Sequence, residues 1–102
     1  MTNPLVAGLA PMHPGELLRE DILPALGRPK TEIARLLGIS RQTLYDIVNE
    51  KQPVTPAMAL RFARMFGGNA ESWLNLQRNY DLQSAEKELG DALDAIPLLR
   101  AA

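Results

Sequence analysis

A polar segment between residues 40 and 49 carries side chains suited to reading the edges of DNA bases. Gln42 can form a pair of hydrogen bonds with adenine, and Arg41 can pair with guanine or with a phosphate. The Thr43 methyl group can contact the methyl group of a thymine. A solvent-exposed helix face is the simpler alternative, so the interpretation depends on how the segment is positioned. The outward face is predicted to consist of Ser40, Arg41, Gln42, Thr43, Tyr45, Asp46 and Asn49.

Two residues of this face need a separate interpretation. Ser40 is a good helix N-cap whether or not DNA is present, so any phosphate contact would be a secondary role. Asp46 would be repelled by phosphate. We expect it in a groove only if it accepts a hydrogen bond from cytosine or is held by Arg41 or a neighbouring base.

The segment from residue 30 to residue 51 is predicted to form two short helices that cross steeply. Such a crossing needs a small residue at the contact, a glycine in the turn and branched apolar residues that lock the second helix in place. These requirements are met by Ala34, Gly38, Ile39, Leu44 and Ile47. The spacing therefore favours a DNA-binding helix-turn-helix, with the polar segment as its recognition helix, over two helices that merely meet at Gly38.

Helical spacing predicts three further helices and no strands, so the fold class is all-α. The first helix covers Pro14–Leu23 and is expected to stop at Pro24. The fourth begins after the Thr55 cap, and the fifth begins after Asn69 and is expected to break near Tyr80. The residues expected to be buried are Ala59, Leu60, Ala63 and Phe66 in the fourth helix, and Trp73, Leu76, Leu82, Ala85 and Leu89 in the fifth.

Length and charge limit the organisation further. The 102 residues suit one domain, which we place at 12–89, with a flexible arm at 1–11 and a C-terminal tail at 90–102. A net charge of −1 by itself argues against nucleic-acid binding, but the charge is unevenly distributed. Residues 28–64 carry seven basic and three acidic side chains, whereas both flanks are acidic. A basic centre predicts one surface that faces an anion.

Catalytic and metal chemistry find little support. His13 is the only histidine and there is no cysteine, so neither a catalytic triad nor a histidine or thiolate metal site is available. His13 is expected to help begin the first helix, and Glu16 and Glu20 are expected to be surface residues. The longest uncharged apolar stretch, residues 4–12, is too short to span a bilayer. We expect a cytoplasmic protein that has no catalytic activity, cofactor, metal or small-molecule substrate.

Several motifs, in order and with close spacing over about residues 12–89, resemble the HigA-type antitoxins of the Xre-like helix-turn-helix group, which includes virulence-associated protein I. The opening His-Pro-Gly-Glu and the later Trp-Leu-Asn-Leu-Gln separate this family from other helix-turn-helix proteins. The matching stretches besides the helix-turn-helix are MHPGELLRE (12–20), PALG (24–27), TPAMALR (55–61), WLNLQ (73–77) and YDL (80–82).

The resemblance implies a five-helix, lambda-repressor-like domain that forms a homodimer. It also implies a repressor that binds a palindromic operator of its own operon and neutralises a HigB-type toxin, a ribosome-dependent mRNA endonuclease. Family members often have a small or basic pair where this chain has Tyr45 and Asp46, so the operator sequence cannot be transferred. Pro29 stands where a Ser or Thr cap is common, which should alter the start of the second helix without abolishing it. The DNA-contacting residues implied are Ser40, Arg41, Gln42, Thr43, Tyr45 and Asn49, with Lys30, Thr31 and Lys51 near the backbone.

The C-terminal third is open to more than one interpretation. Core packing is favoured for Trp73, while Trp73, Leu76 and Tyr80 together form a candidate dimer interface. The acidic segment 81–94 is ordinarily a solvated face, but it could also contact a basic toxin. Two alternatives to the antitoxin remain: a stand-alone regulator, and a protein-interaction module with a vestigial DNA face.

Overall fold

The computed structural model describes residues 12–101, and within that range all regular structure is helical. The predicted N-terminal arm, residues 1–11, lies outside the described residues. The all-α, five-helix prediction is confirmed, and a sixth helix of one turn follows in the tail. The helices are α1, which joins Pro14–Leu17, the π-helical stretch Leu18–Ile22 and Leu23–Leu26, then α2 (Lys30–Leu37), α3 (Arg41–Val48), α4 (Pro56–Phe66), α5 (Ala70–Leu89) and α6 (Asp91–Asp94).

Three of the helices begin at the side-chain caps that the sequence predicts. The side chains of Ser40, Thr55 and Asn69 each accept a hydrogen bond from the backbone N–H three residues later. Each cap satisfies one of the amide groups that the first turn of a helix leaves unpaired. These bonds fix where α3, α4 and α5 start.

The prediction that Pro24 ends the first helix is wrong. The chain remains helical to Leu26, and Gly27 then terminates it with a φ of 64°. A π-helical stretch precedes Pro24, and there the Leu23 N–H bonds to the Leu18 carbonyl, five residues back. This change of hydrogen-bond frame just before Pro24 lets the helix continue where proline supplies no N–H.

The predicted break of the fifth helix near Tyr80 is also wrong, because α5 is continuous over twenty residues. Its first half packs against α4, where Trp73 lies 4.9 Å from Phe62 between ring centroids. Its second half extends away from the core, so that Leu82, Ala85 and Leu89 are exposed instead of buried as predicted. Within residues 12–101, no helix is both long and apolar enough to cross a membrane.

The core lies where α1, α2, α3, α4 and the start of α5 meet. Ala34, Leu44 and Ile47, which are predicted to hold the crossing of α2 and α3, are buried. In α4, Leu60 is 65% exposed instead of buried as predicted, while Phe62 is fully buried. The buried face of α4 is the one that carries Phe62, and Leu60 lies outside that face. The buried apolar residues are Leu18, Leu23, Ile33, Ala34, Leu37, Leu44, Ile47, Val48, Val54, Met58, Ala59, Phe62 and Trp73.

Candidate nucleic-acid interface

Helix α3 is held by one face and presents the other to solvent. Leu44 and Ile47 are fully inaccessible, and Val48 beside them is buried. On the opposite side, Ser40, Arg41, Gln42 and Asn49 are exposed, and Thr43, Tyr45 and Asp46 are half-buried. The sequence-predicted face is therefore a continuous surface on a helix whose rotation is fixed by its packing.

The first turn of α3 is fixed by Ser40. The Ser40 Oγ accepts a hydrogen bond from the Thr43 backbone N–H at 3.0 Å and lies 2.8 Å from the Thr43 hydroxyl. The N-cap interpretation of Ser40 is thus confirmed. The polar end of α3 is a rigid turn whose hydroxyl groups already bond to each other.

Asp46 has a partner other than those expected from the sequence. The Gln42 Nε2 donates a hydrogen bond to the Asp46 Oδ1 at 2.8 Å, one turn apart on the exposed side of α3. The three ion pairs of the described residues involve Arg19 and Arg28, so Arg41 does not hold Asp46. The neutral amide of Gln42 therefore binds the Asp46 carboxylate on the exposed polar face of residues 40–49, which we call the recognition face.

The turn between α2 and α3 depends on Gly38 and also on Arg61, a residue of α4 that sequence analysis did not single out. Gly38 ends α2 with a φ of 77°, a conformation that favours glycine. The Arg61 Nη1, from α4, donates to the Leu37 carbonyl oxygen at 2.6 Å, and a Cβ on Gly38 would come within 2.7 Å of that nitrogen. Arg61 thus satisfies a terminal carbonyl of α2 and lies against Gly38, where the positive φ favours glycine.

The C-terminal end of α3 is held by hydrogen bonds from Arg19 of α1. Its Nη1 donates to the Val48 carbonyl oxygen at 2.7 Å, and its Nη2 donates to the Glu50 carboxylate at 3.1 Å. Glu50 adopts a φ of 62°, which is unusual for a residue with a side chain. No local pattern predicts this contact, because Arg19 and Val48 are 29 residues apart.

His13 is the N-cap of α1, which confirms its expected role at the start of that helix. Its Nδ1 accepts a hydrogen bond from the Gly15 N–H at 2.9 Å, and its ring packs edge-on against Tyr80 at 4.9 Å. Burial lowers the pKa of His13 from its ordinary value of 6.5, while the negative charges of Glu50 and Asp81 act in the opposite direction. The neutral imidazole is the form that can accept at Nδ1.

The remaining predicted DNA contacts lie outside α3. Lys30 and Thr31 are exposed at the start of α2, and Lys51 is exposed just beyond α3. Pro29 occupies the N-cap position of α2 and provides no side-chain cap, so the helix forms in its presence as expected. The structure thus places basic side chains near both ends of the helix-turn-helix.

The three candidate dimer residues have different environments. Trp73 is buried in the core of its own chain, as core packing predicts, so its indole adds little to any outer surface. Leu76 and Tyr80 are half-buried on α5. The buried polar residue of this helix is Gln77, whose Oε1 accepts a hydrogen bond from the Val54 N–H at 2.8 Å. Sequence analysis did not identify that buried amide.

The part of the chain that the structure describes contains no group of three or more histidine, cysteine, aspartate or glutamate side chains placed to hold a metal ion. Glu20 is exposed and Glu16 half-buried on α1, in line with a surface role.

The fold and this exposed face define a helix-turn-helix protein of the DNA-binding type. The helix-turn-helix family model HTH_3 matches residues 18–74, and the chain belongs to this family. Virulence-associated protein I of Dichelobacter nodosus is 42% identical over 87 residues, covering 85% of this chain and 81% of its own length.

Solved structures agree with this assignment. The antitoxin GraA superposes with a TM-score of 0.84 at 38% identity, covering 90% of this chain and all of that one. The antitoxin HigA of Pseudomonas aeruginosa, solved with the higBA promoter, superposes with a TM-score of 0.82 at 36% identity, covering 88% of this chain and 99% of that one. The resemblance to HigA-type antitoxins is therefore confirmed.

Proposed function

We propose that this protein is a sequence-specific DNA-binding repressor and the antitoxin of a HigB/HigA-type pair, acting in the cytoplasm. The observation that carries the proposal is the exposed polar face of α3, held at fixed rotation by the buried Leu44 and Ile47. A major groove admits one α-helix, and a helix fixed in this way can present side chains to base edges in a constant register. The similar HigA structure, solved with a promoter, supports this assignment.

The contacts divide into two groups. Arg41, Gln42, Thr43, Tyr45 and Asn49 lie on α3 and would face base edges or the adjoining backbone. Lys30 and Thr31 at the start of α2 and Lys51 just beyond α3 would contact phosphate, together with Ser40 at the start of α3. The basic balance of residues 28–64 favours this arrangement, because phosphate contacts supply most of the affinity for any duplex.

A homodimer would place two recognition helices about 34 Å apart, in successive major grooves on one side of the duplex. The second half of α5 is the surface we assign to the partner copy. This part of α5 extends beyond the core of its own chain and exposes Leu82 and Leu89. Together with Val54 and Leu74, it lines a shallow groove of about 570 Å³. Leu76 and Tyr80 are half-buried on α5 but do not line this groove, and Tyr80 packs against His13, so these two residues would contact a partner copy only beside it. The buried Trp73 would act only through the core.

We assign the toxin contact to the acidic segment 81–94, through its side chains outside the groove, since Asp81 lines the groove assigned to the partner copy. Five of its side chains are acidic and one is basic, and all five acidic residues are exposed. An mRNA-cleaving toxin must attract RNA, so its active surface is expected to be basic and complementary to this segment. Such a contact would let one chain bind DNA through α3 and a toxin through its C-terminal third.

Two measurements test the proposal. Binding of the purified protein to the region upstream of its own gene, compared with an unrelated duplex, tests the repressor. Co-purification with the product of the neighbouring gene tests the antitoxin. Operator binding without such a neighbour would favour a stand-alone regulator, while toxin neutralisation without duplex binding at low salt would favour an interaction module with a vestigial DNA face.

A further inference from the structure

Asp46 is the one acidic side chain on the recognition face, and its contact has consequences for base choice. It lies one turn after Gln42, and its Oδ1 accepts from the Gln42 Nε2 at 2.8 Å. Residues four apart on a helix are neighbours, so the contact forms within α3 and needs no other element. Because Ser40 fixes the first turn of α3, the backbone that carries both side chains is itself fixed.

The contact uses up one of the two N–H donors of Gln42. A glutamine amide has two donors on nitrogen and one acceptor oxygen. With one donor bound to Asp46, a single N–H and the Oε1 remain for DNA. Adenine presents N7 as an acceptor and its 6-amino group as a donor, which is the pattern that this remaining pair matches.

Guanine presents two acceptors, N7 and O6, in the same groove. A free glutamine could offer both of its N–H groups to them, but Gln42 bound to Asp46 has only one to give. The carboxylate would also repel the two guanine acceptors electrostatically. Both effects disfavour guanine at the position that Gln42 contacts.

We propose that Asp46 is a specificity-determining residue that positions the Gln42 amide, so that Gln42 accepts adenine and rejects guanine. The inference rests on the proposed function, since it requires α3 to lie in a major groove. It also accounts for an acidic residue on a surface that faces phosphate: the charge lowers affinity for every duplex and sharpens the choice among them.

The experiment uses the full chain and duplexes of the upstream region in which each base pair is replaced in turn. The position read by Gln42 is the one whose replacement no longer matters in the Gln42→Ala variant. At that position the wild type should prefer adenine over guanine by roughly 5- to 150-fold, the range of one two-bond base contact. Asp46→Ala should bind both duplexes more tightly, with the preference reduced toward that of Gln42→Ala.

Asp46→Asn is the matched control, because its amide oxygen can still accept from Gln42 while the charge is gone. It should gain affinity like Asp46→Ala but lose less of the adenine preference, because only the electrostatic repulsion of guanine is gone. In the Gln42→Ala background, Asp46→Ala should change affinity and alter the base preference less than it does in the wild type, because there is no Gln42 amide left to position.

Three results would overturn the inference. One is an Asp46→Ala protein with the wild-type adenine preference, and another is an equal loss of preference in Asp46→Asn. The third is a Gln42→Ala protein whose base preferences match the wild type at every position. Each of these can occur while operator binding itself persists, so the proposed function would survive them. A wild-type chain that binds no duplex would overturn both.

Discussion

Gly15 lies so close to the carbonyl oxygen of Ile47 that a Cβ placed on it would overlap that oxygen. The start of α1 therefore rests directly on the backbone of the recognition helix. Glycine is needed here for close approach, and the His13 cap fixes the turn that brings it there. The position of α3 thus depends on the first residues of the domain.

Replacing Gly15 by Ala should push α1 and α3 apart. Overpacking of this kind costs about 1 to 3 kcal/mol in the free energy of unfolding, measurable by urea denaturation, and it should weaken operator binding as well. Gly68→Ala is the control, because a Cβ there meets nothing within 4 Å, although its positive φ also strains the variant. Wild-type stability in Gly15→Ala would contradict the close approach.

Arg61→Ala tests the turn of the helix-turn-helix. Loss of the hydrogen bond to the Leu37 carbonyl leaves the end of α2 less well satisfied, and we expect a loss of about 1 kcal/mol in the free energy of unfolding. Arg64→Ala, an exposed arginine on the same helix, is the matched control and should change stability by less than about 0.5 kcal/mol. Equal effects from the two variants would show that Arg61 acts only through its charge.

The pH dependence of stability should report on His13. Its pKa is lowered by burial in the folded state, so the unfolded chain binds more protons. The resulting stability is fully present above pH 6.5 and is lost as the pH falls below that value through the folded-state pKa. Urea denaturation between pH 5.5 and 8 should show this loss.

His13→Asn is the informative variant, because asparagine can still cap the helix but does not titrate. It should be less stable than the wild type above pH 6.5, since it lacks the ring that packs against Tyr80, and its stability should vary less over this range. A variant that retains the full wild-type pH dependence would show that other groups cause it.

Salt dependence separates phosphate contacts from other roles of the basic residues. Replacing Arg41 or Lys51 by Ala should make the negative slope of log affinity against log salt concentration less steep, by about 0.9 for each phosphate that the variant no longer neutralises. Arg100→Ala removes the same charge from the exposed tail and should leave the slope unchanged. If Arg41→Ala and Lys51→Ala keep the wild-type slope, these residues lie outside the DNA footprint.

Local signals in the sequence predicted much of the fold. Gly38 placed the end of α2 and the turn, and the side-chain caps placed the starts of α3, α4 and α5, because such features act within a few residues. The chain's continuation through Pro24 was missed, since the preceding π-helical stretch has no clear sequence signature. The buried face of α4 was misjudged at Leu60, because helical periodicity alone does not say which apolar side chain meets Trp73.

The residues of the candidate site were predictable for the same reason, but the contacts from other helices that hold α3 in place were not. The polar residues of α3 follow one another in sequence, and helical geometry places them on one face. Arg19 and Arg61 reach α3 and its turn from other helices, over separations of 29 and 24 residues, through contacts that only the folded chain creates. The bond between Gln42 and Asp46 was within reach of sequence analysis, because their spacing is that of helical neighbours.

The central claim is that the polar face of α3 lies in a major groove, and nuclear magnetic resonance can test it directly. The isotope-labelled full chain would be titrated with a duplex from the region upstream of its own gene, at low ionic strength. We predict that the largest shift changes occur in residues 40–49, including the side-chain amide of Gln42. Changes confined to α5 and the tail, or no change at all, would contradict the account.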